Sequence, residues 1–466
     1  MHGVAALESS YRPEPLILAL GPEFFDPVEP ATFPKCTPRF ANRHWAERVG
    51  LDLDDEQWTA HFCRFEPLPG NLPRPLALRY HGHQFRVYNP DIGDGRGFTF
   101  AQLRDDREKL LDLGTKGSGQ TPYSRHADGR LTLKGGVREV LATEMLEALG
   151  VDTSKSFALF ETGEALERGD EPSPTRSAVL TRLSHGHIRI GTFQRLAFFG
   201  EVENLKALTR YCLANLYSEQ PADDDTENSL RLFDLVSWAT AALAASYLAA
   251  GFVHGVLNSD NINITGESFD YGPWRFTPEW DPDLTAAYFD HYGLYSFGRQ
   301  PEAIHWDLAQ LAVCLSLVAE APALSELLAG WSDRFDEALV TAMLRRLGIQ
   351  RRDSGDREIA AALIRALASR TQPIDRIFFD WRGGRDPGAE LYPGDPFRQL
   401  ARLLDGREIA QPHAYWSDPE PCSMHIDQVE AIWSAIAERD DWQPFEDKVR
   451  AVRRMGEAME QDAPAS

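Results

Sequence analysis

Hydrophobic and polar positions alternate in two different ways along the chain. Over residues 76–133, short apolar runs are interrupted by Gly, Pro, Asn and Asp, which is typical of strands joined by tight turns. Apolar residues then recur at helical spacing over 136–149 and stop at Gly150, which predicts one amphipathic helix. The runs predict three strands, over 98–103, 110–113 and 177–183.

After Asn204 the apolar residues recur at helical spacing over long stretches. The pattern predicts five helices, over 205–217, 229–250, 302–320, 324–347 and 357–370. The apolar run 238–252 is too short to span a membrane and is interpreted as a buried core helix. Residues 251–295 are rich in Gly, Asn, Asp and aromatics, so functional loops are expected there.

A β-rich half with one helix, followed by a helical half with a polar loop, is the order of a protein kinase. The prediction is therefore an α+β, protein-kinase-like two-lobe fold with a β-rich N-lobe, a helical C-lobe and an added C-terminal helical region. A chain of 466 residues also exceeds what one core ordinarily supports. The predicted regions are an N-terminal extension packing on the lobes (1–74), an N-lobe-like nucleotide-binding region (75–200), a helical C-lobe with catalytic and metal loops (201–375) and a C-terminal helical extension (376–466).

The net charge and the cysteine content argue against several classes of function and site. A net charge of −23 argues against general nucleic-acid binding, which needs clustered Lys and Arg. No export or membrane signal is recognised. The cysteines are odd in number and scattered, without CxxC spacing, so neither a disulfide framework nor a zinc site is indicated and a cytoplasmic location is expected. They are Cys36, Cys63, Cys212, Cys314 and Cys422.

Two features of the β-rich half suit a triphosphate. Gly93, Gly95 and Gly97 surround Arg96 and would let backbone amides approach phosphates, although glycines in such a cluster also serve as ordinary turns. Lys116 follows a predicted strand, and Glu139 lies on the next helix at a spacing that suits an ion pair. The alternative is that both residues are solvated surface charges.

The segment HGVLNSDNI, residues 254–262, matches the catalytic loop H-G-D-x-x-x-x-N of small-molecule kinases except at one position. Val256 stands where the catalytic Asp is expected, and valine cannot accept a proton. Asn261 occupies the metal-binding position, and Asp260 directly before it is a candidate base. The alternative is a polar turn.

Further polar residues extend this set. Asp270 in DYGP resembles the metal-binding Asp of the Asp-Phe-Gly loop of kinases, and with Asn261 it offers the oxygen ligands that Mg²⁺ prefers. Taken alone, Asp270 also fits an Asx turn. Arg182 and Arg189 provide guanidinium groups that match phosphate oxygens. His81 and His83 suggest a metal site, but no third ligand lies at suitable spacing, which favours a structural role.

Several longer strings together resemble the selenoprotein O (SelO) family. They are GHQF, GDGR, GQTPYSR, DGR, VRE, HIR, HGV, DYGP and YSFGRQP, and they extend over residues 76–307. The resemblance implies a pseudokinase that binds ATP in a flipped orientation. It would transfer AMP to Ser, Thr or Tyr of proteins and release pyrophosphate, with ATP, or alternatively UTP, as donor and Mg²⁺, or alternatively Mn²⁺, as metal.

The resemblance also assigns roles to residues. Asp260 would accept the hydroxyl proton, Asn261 and Asp270 would bind the metal, and Glu139 would support Lys116. No nucleic-acid or membrane partner is implied. The nucleotide contacts would be Gly93, Gly95, Arg96, Lys116, Asp128, Gly129, Arg182, Arg189 and Asp270.

The chain departs from the family pattern in a few places. Arg86 follows GHQF where Gly is usual, and the usual C-terminal segment is not recognised. A cysteine near the end and one in the loop after DYGP are both absent, so no disulfide switch is expected. Two alternatives to AMP transfer stay open, an atypical kinase with a relocated base and a catalytically inactive ATP-binding sensor.

Overall fold

The computed structural model describes residues 10–169, 171–352 and 355–460. Residues 1–9, part of the segment where no export signal is expected, lie outside the described residues. The strands are β1 (Phe25–Pro27), β2 (Thr37–Ala41), β3 (Leu76–Leu78), β4 (Gly82–Gln84), β5 (Val87–Asn89), β6 (Thr99–Arg104), β7 (Leu110–Lys116), β8 (Leu131–Thr132), β9 (Lys155–Leu166), β10 (Thr175–Ser184), β11 (Phe252–Val253) and β12 (Arg275–Phe276).

Helices dominate the second half, which gives the mixed α and β arrangement that the sequence predicts. They are α1 (Arg43–Arg48), α2 (Asp55–Phe62), α3 (Leu133–Ala148), α4 (Ile190–Phe199), α5 (Val202–Tyr211), α6 (Asp225–Ala250), α7 (Gln300–Leu315), α8 (Ala321–Ala329), α9 (Trp331–Leu347), α10 (Asp356–Ala368), α11 (Ile374–Asp380), α12 (Asp395–Leu404), α13 (Ile426–Arg439) and α14 (Gln443–Glu460). The predicted domain limits stay predictions.

The main sheet has the strand order β1-β3-β6-β7-β10-β9-β2, and β8 pairs with β10. Neighbouring strands run antiparallel. Every residue of β7 is buried, and its last residue, Lys116, lies opposite Leu180 of β10. The lysine is therefore held at the end of a central strand, where its backbone has little freedom.

Helix α3 packs across β9 and β10. Thr132 caps its N-terminus by accepting a hydrogen bond from the Gly135 N–H group at 3.1 Å. Its outer face is covered by α14, where Arg453 forms two hydrogen bonds with the Glu144 carboxylate at 2.7 and 2.8 Å. Since Glu139 lies on α3, the C-terminal helix stabilises the element that carries Glu139.

Most predicted elements are found, one predicted helix is divided, and several observed elements, among them α1, α2 and α4, were not predicted. Strand β9 was not predicted, because its apolar run has no clear alternation and the sheet buries it on both faces. The helix predicted over 324–347 is divided at Gly330 into α8 and α9. Glycine is unfavourable in a helix interior, so Gly330 was the feature of the sequence that could have predicted this break.

Helix α6 contains the apolar run that was interpreted as a core helix. Among the described residues, α6 is long and apolar enough to cross a membrane, but its most apolar part is 67% buried within the protein. Val236, Leu243 and Tyr247 belong to the largest apolar cluster. The packing supports the interpretation of a core helix.

The expectation that no disulfide is present was wrong. Cys36 and Cys63 form a disulfide with a Cα–Cα distance of 6.0 Å. Cys36 directly precedes β2 and Cys63 follows α2, so the pair joins two elements of the N-terminal region. Their separation of 27 residues carries no signal, because only the packing of α2 brings them together. The predicted cytoplasmic location stays a prediction.

Thiol counting and unfolding test this disulfide. The denatured protein is expected to expose three reactive thiols before reduction and five after it. Replacing Cys36 by serine should lower the free energy of unfolding by about 3 to 4 kcal/mol, because the closed loop no longer restricts the unfolded chain. Denaturant titration of Cys36→Ser beside Cys422→Ser measures this. Five reactive thiols without reductant would contradict the disulfide.

Candidate functional site

A cavity of about 330 Å³ is lined by residues of the sheet, of the glycine-rich loop and of the polar loops between α6 and α7. It contains nine residues that the sequence singled out, although they lie far apart along the chain. They are Gly93, Gly95, Arg96, Gly97, Lys116, Arg182, Arg189, Asp260 and Asp270.

The Lys116 side chain is only 5% exposed and is held between two carboxylates. It donates a hydrogen bond to Glu139 Oε1, and its Nζ lies 2.9 Å from Asp270 Oδ1. Glu139 is 1% exposed, and within the described part of the chain its second oxygen has no hydrogen-bond partner. The predicted pair of Lys116 and Glu139 is therefore present as a buried ion pair and not as two solvated charges.

Asp270 contacts two cationic side chains, Lys116 and Arg182. Besides Lys116, it accepts a hydrogen bond from the Arg182 guanidinium at 3.2 Å. Burial opposes ionisation of Asp270, but Lys116, Arg182, Arg189 and Arg96 outweigh it and hold its pKa well below the ordinary value. Its backbone has a left-handed φ of 65°, which L-residues rarely adopt. The carboxylate is therefore held ionised beside the cations.

Arg189 connects the glycine-rich loop with the segment that carries Asp260. Its guanidinium lies over the Tyr80 ring at 4.3 Å and over the Phe269 ring at 4.9 Å. It donates a hydrogen bond to the Asp260 backbone carbonyl at 3.2 Å and pairs with Asp94 at 3.4 Å. Its charge is fixed in place, since Arg189 is only 3% exposed, and its Nε finds no hydrogen-bond partner in the ranges that the structure describes.

Asp260 is buried at 8% exposure and sits in a short 3-10 helix, Ser259–Asn261. Its Oδ1 atom has no hydrogen-bond partner among the described residues. Burial raises the pKa of its carboxyl group to about 6, against the opposing effect of Arg189. A carboxylate with a raised pKa and a free oxygen in a cavity can accept a proton.

Asn261 lies beside this cavity but does not line it. Its side-chain amide donates a hydrogen bond to the Val256 carbonyl at 3.0 Å. Val256, in the position where kinases carry their base, contributes its backbone carbonyl to this contact, and its side chain cannot accept a proton.

Carboxylate and amide oxygens of this kind suit Mg²⁺, which commonly binds through one or two carboxylates together with phosphates. The described residues contain no cluster of three or more His, Cys, Asp or Glu with metal-site geometry. The ionised Asp270 carboxylate lines the cavity, and Asn261 directly follows Asp260, which lines it as well. These residues fit a cation that binds together with a nucleotide.

Close packing requires glycine at two positions of the glycine-rich loop. A Cβ atom at Gly97 would lie 2.0 Å from the Thr115 carbonyl, and one at Gly93 would lie 2.5 Å from the Tyr123 ring. Asp94, between Gly93 and Gly95, was not predicted. Its carboxylate accepts a hydrogen bond from the Leu78 N–H group at 3.0 Å, while its other oxygen faces Arg189.

Asp128 and Gly129 lie outside the cavity lining. The Asp128 side chain is 45% exposed and pairs with Arg168 at 2.9 Å. Gly129 has a left-handed φ of 69°, and a Cβ there would lie 2.3 Å from the Gly119 backbone. This geometry joins the turn 127–130 to the loop after Lys116, and the nucleotide contacts predicted for Asp128 and Gly129 stay predictions.

Other lining residues were missed because their contacts join distant parts of the chain. Tyr80, Gln84 and Tyr123 line the cavity with the predicted residues. Both histidines of the HxH pair lie nearby and are hydrogen-bonded: His81 Nδ1 lies 2.8 Å from the Tyr88 hydroxyl, and His83 Nδ1 lies 2.6 Å from the Gln194 amide. These contacts are consistent with the predicted structural role.

Comparison with known proteins gives a consistent result. The family described as protein adenylyltransferase SelO matches residues 6–386. A protein nucleotidyltransferase YdiU of Synechocystis sp. is 41% identical over 470 residues, which cover 94% of this chain and 97% of that protein. The protein of the same name from Gloeobacter violaceus is 42% identical over 477 residues, with 97% of each chain covered. Since nearly all of both chains is covered, this relative shares the C-terminal region.

Proposed function

Because this chain belongs to the SelO family and is a nucleotidyltransferase, we propose that it transfers AMP from ATP to Ser, Thr or Tyr hydroxyl groups of proteins. The proposal rests on one observation above the others. Asp260 places a partnerless carboxylate oxygen in the same cavity as Lys116, Arg182 and Arg189, whereas Val256 occupies the position of the kinase base. A sheet with one long helix, followed by a helical half, supports a protein-kinase-like two-lobe arrangement.

In the proposed reaction the acceptor oxygen attacks the α-phosphorus of ATP. A bond forms between that oxygen and phosphorus, the bond from the α-phosphorus to the bridging oxygen breaks, and pyrophosphate leaves. The hydroxyl proton goes to Asp260, whose pKa of about 6 leaves it mostly ionised at neutral pH. Lys116 and the two arginines stabilise the negative charge on the phosphates.

Asn261 and Asp270 are the residues that would hold Mg²⁺ or Mn²⁺. The cation would supply charge neutralisation at the phosphates. Lys116 and Arg182 both contact the Asp270 carboxylate, at 2.9 and 3.2 Å. These contacts support the proposal, because they bring two cationic groups close to the carboxylate that would hold the metal ion.

ATP labelled separately at the α- and γ-phosphates tests this function. Purified protein with Mg²⁺ and a mixture of protein acceptors should become labelled, or label acceptors, from the α-position only, with one pyrophosphate released per AMP transferred. Label from the γ-position would instead establish a kinase with a relocated base. Binding of ATP without transfer of either label would establish a nucleotide sensor.

The pH dependence of AMP transfer should follow the Asp260 carboxyl group. Below pH 6 this carboxyl is increasingly protonated and cannot accept a proton, so kcat/KM should fall about tenfold per pH unit there and level off above pH 7. Mg-ATP affinity measured over the same range serves as the control. A rate that is flat down to pH 5 at constant affinity would contradict the assignment of Asp260 as base.

A further inference from the structure

The loop between β12 and α7 exposes three aromatic side chains to solvent. Tyr288 is 80% exposed, Phe289 is 42% exposed and Tyr292 is 93% exposed. Tyr288 and Phe289 contact each other with ring centroids 5.1 Å apart, and Phe289 also packs on Phe85 at 5.8 Å. We refer to Phe85, Tyr288, Phe289 and Tyr292 as the aromatic surface. Grouped exposed aromatic residues mark interaction sites more often than single ones do.

The aromatic surface is joined to the segment that carries Asp260. The Phe85 N–H group donates a hydrogen bond to Asn258 Oδ1 at 3.0 Å, and the Tyr295 hydroxyl donates to the same oxygen at 2.8 Å. Asn258 lies two residues before Asp260. Gln84, next to Phe85, lines the cavity together with Asp260. The surface therefore begins where the cavity ends on its Asp260 side.

The hairpin of β4 and β5 holds Phe85 in an unfavourable backbone conformation. Phe85 and Arg86 form its two-residue turn with φ values of 51° and 62°, whereas such turns ordinarily use Asn and Gly. Strain of this kind persists only when surrounding contacts impose it. Here the Phe85 ring packs against Tyr295 at 5.0 Å, and Arg86 pairs with Glu302 at 2.9 Å.

The loop itself is also fixed. The buried Asp290 carboxylate accepts hydrogen bonds from the N–H groups of Leu294 and Tyr295, each at 2.8 Å. Ala286 and Ala287 are buried, and a Cβ atom at Gly255 would lie 2.9 Å from the Ala286 Cβ. The exposed rings thus stand on an ordered loop, and rigid aromatic side chains lose little conformational entropy when they bind a partner.

We propose that the aromatic surface binds an apolar or aromatic side chain of the acceptor protein, in the extended segment that flanks its acceptor hydroxyl. The inference rests on the proposed function, because a hydroxyl that reaches Asp260 brings its flanking residues to the mouth of the cavity. An extended segment advances about 3.3 Å per residue, so residues within a few positions of the acceptor reach the adjoining surface. Aromatic residues are common energetic anchors in such interfaces.

Synthetic peptides provide the probe. Each contains one Ser, Thr or Tyr in a background of Gly, Gln and Lys, with a single Leu or Phe moved through the flanking positions. AMP transfer from α-labelled Mg-ATP should favour peptides with the apolar residue at one or two fixed offsets. The variant Tyr288→Ser/Tyr292→Ser should lose this preference and raise the KM of the favoured peptides about tenfold, equivalent to about 1.4 kcal/mol, with kcat little changed.

The control variant is Leu391→Ser, which removes an apolar side chain of 54% exposure that precedes α12 in the C-terminal region. Equal KM and equal selectivity in the tyrosine double variant and the unmodified protein would overturn the proposal. Concentration-dependent dimerisation that the double variant abolishes in analytical ultracentrifugation would assign the surface to a second copy, and would also overturn it. If the unmodified protein binds ATP but transfers no α-label to any acceptor, the proposed function fails, and this inference fails with it.

Discussion

Replacing Asp260 by asparagine is expected to slow AMP transfer by about 100-fold to 10,000-fold, the range lost with a general base. Asparagine has nearly the same shape but cannot take the hydroxyl proton. Mg-ATP affinity should change much less, because Lys116, Arg182 and Arg189 are retained. Single-turnover transfer from α-labelled ATP, measured beside nucleotide binding, separates the two effects.

The folded protein should tolerate this substitution. The pKa of Asp260 is raised in the folded protein. Above about pH 6 its ionised carboxylate therefore lowers the free energy of unfolding, and a neutral amide at this position removes that cost. The thermal midpoint of Asp260→Asn at pH 7.5 is therefore expected to equal or exceed that of the unmodified protein. Asp283→Asn, at an exposed position, is the matched control. Full transfer activity in Asp260→Asn would show that another group accepts the proton.

The second large effect is expected for Lys116→Met. The substitution removes the cation between Glu139 and Asp270 and leaves the buried Glu139 carboxylate without a partner. Breaking a buried ion pair typically costs about 3 to 5 kcal/mol in stability. The phosphates also lose a fixed positive charge, so kcat/KM for ATP should fall about 100-fold to 1,000-fold.

A double variant distinguishes these two consequences. In Lys116→Met/Glu139→Gln no buried carboxylate is orphaned at position 139, so much of the lost stability should return while kcat/KM for ATP stays low. Denaturant unfolding and steady-state kinetics of both variants and of Glu139→Gln complete the cycle. Recovery of ATP use in the double variant would mean that Lys116 acts only through folding.

Regular periodicity made the helical half predictable from the sequence. Helices α6, α9 and α10 present one apolar face each, so their existence follows from spacing. Strand β9 is different, because a strand covered on both faces shows no alternation. The break at Gly330 depends on how α8 and α9 pack, which a single glycine indicates only weakly.

Most candidate site residues were identified by motif, and the structure gathers nine of them around one cavity. Asp94 and Tyr80 were not predicted because their importance lies in contacts with Arg189, which is distant in sequence. Asp128 pairs with Arg168, and its predicted nucleotide contact stays a prediction. The disulfide was missed for the same reason as Asp94, since packing rather than spacing joins its partners.

The packing of α14 on α3 means that residues 443–460 help to support the cavity. Arg453 donates a hydrogen bond to Glu144 on α3, about one and a half turns from Glu139. Gly456 lies so close to Ala148 that a side chain at position 456 would crowd Ala148. A frameshift before α14 that leaves every cavity residue unchanged would still remove the packing of α14 on α3. Helix α14 lies far beyond Asp270, the last residue of the cavity lining, so the nascent chain acquires this support of the cavity only after α14 has been synthesised.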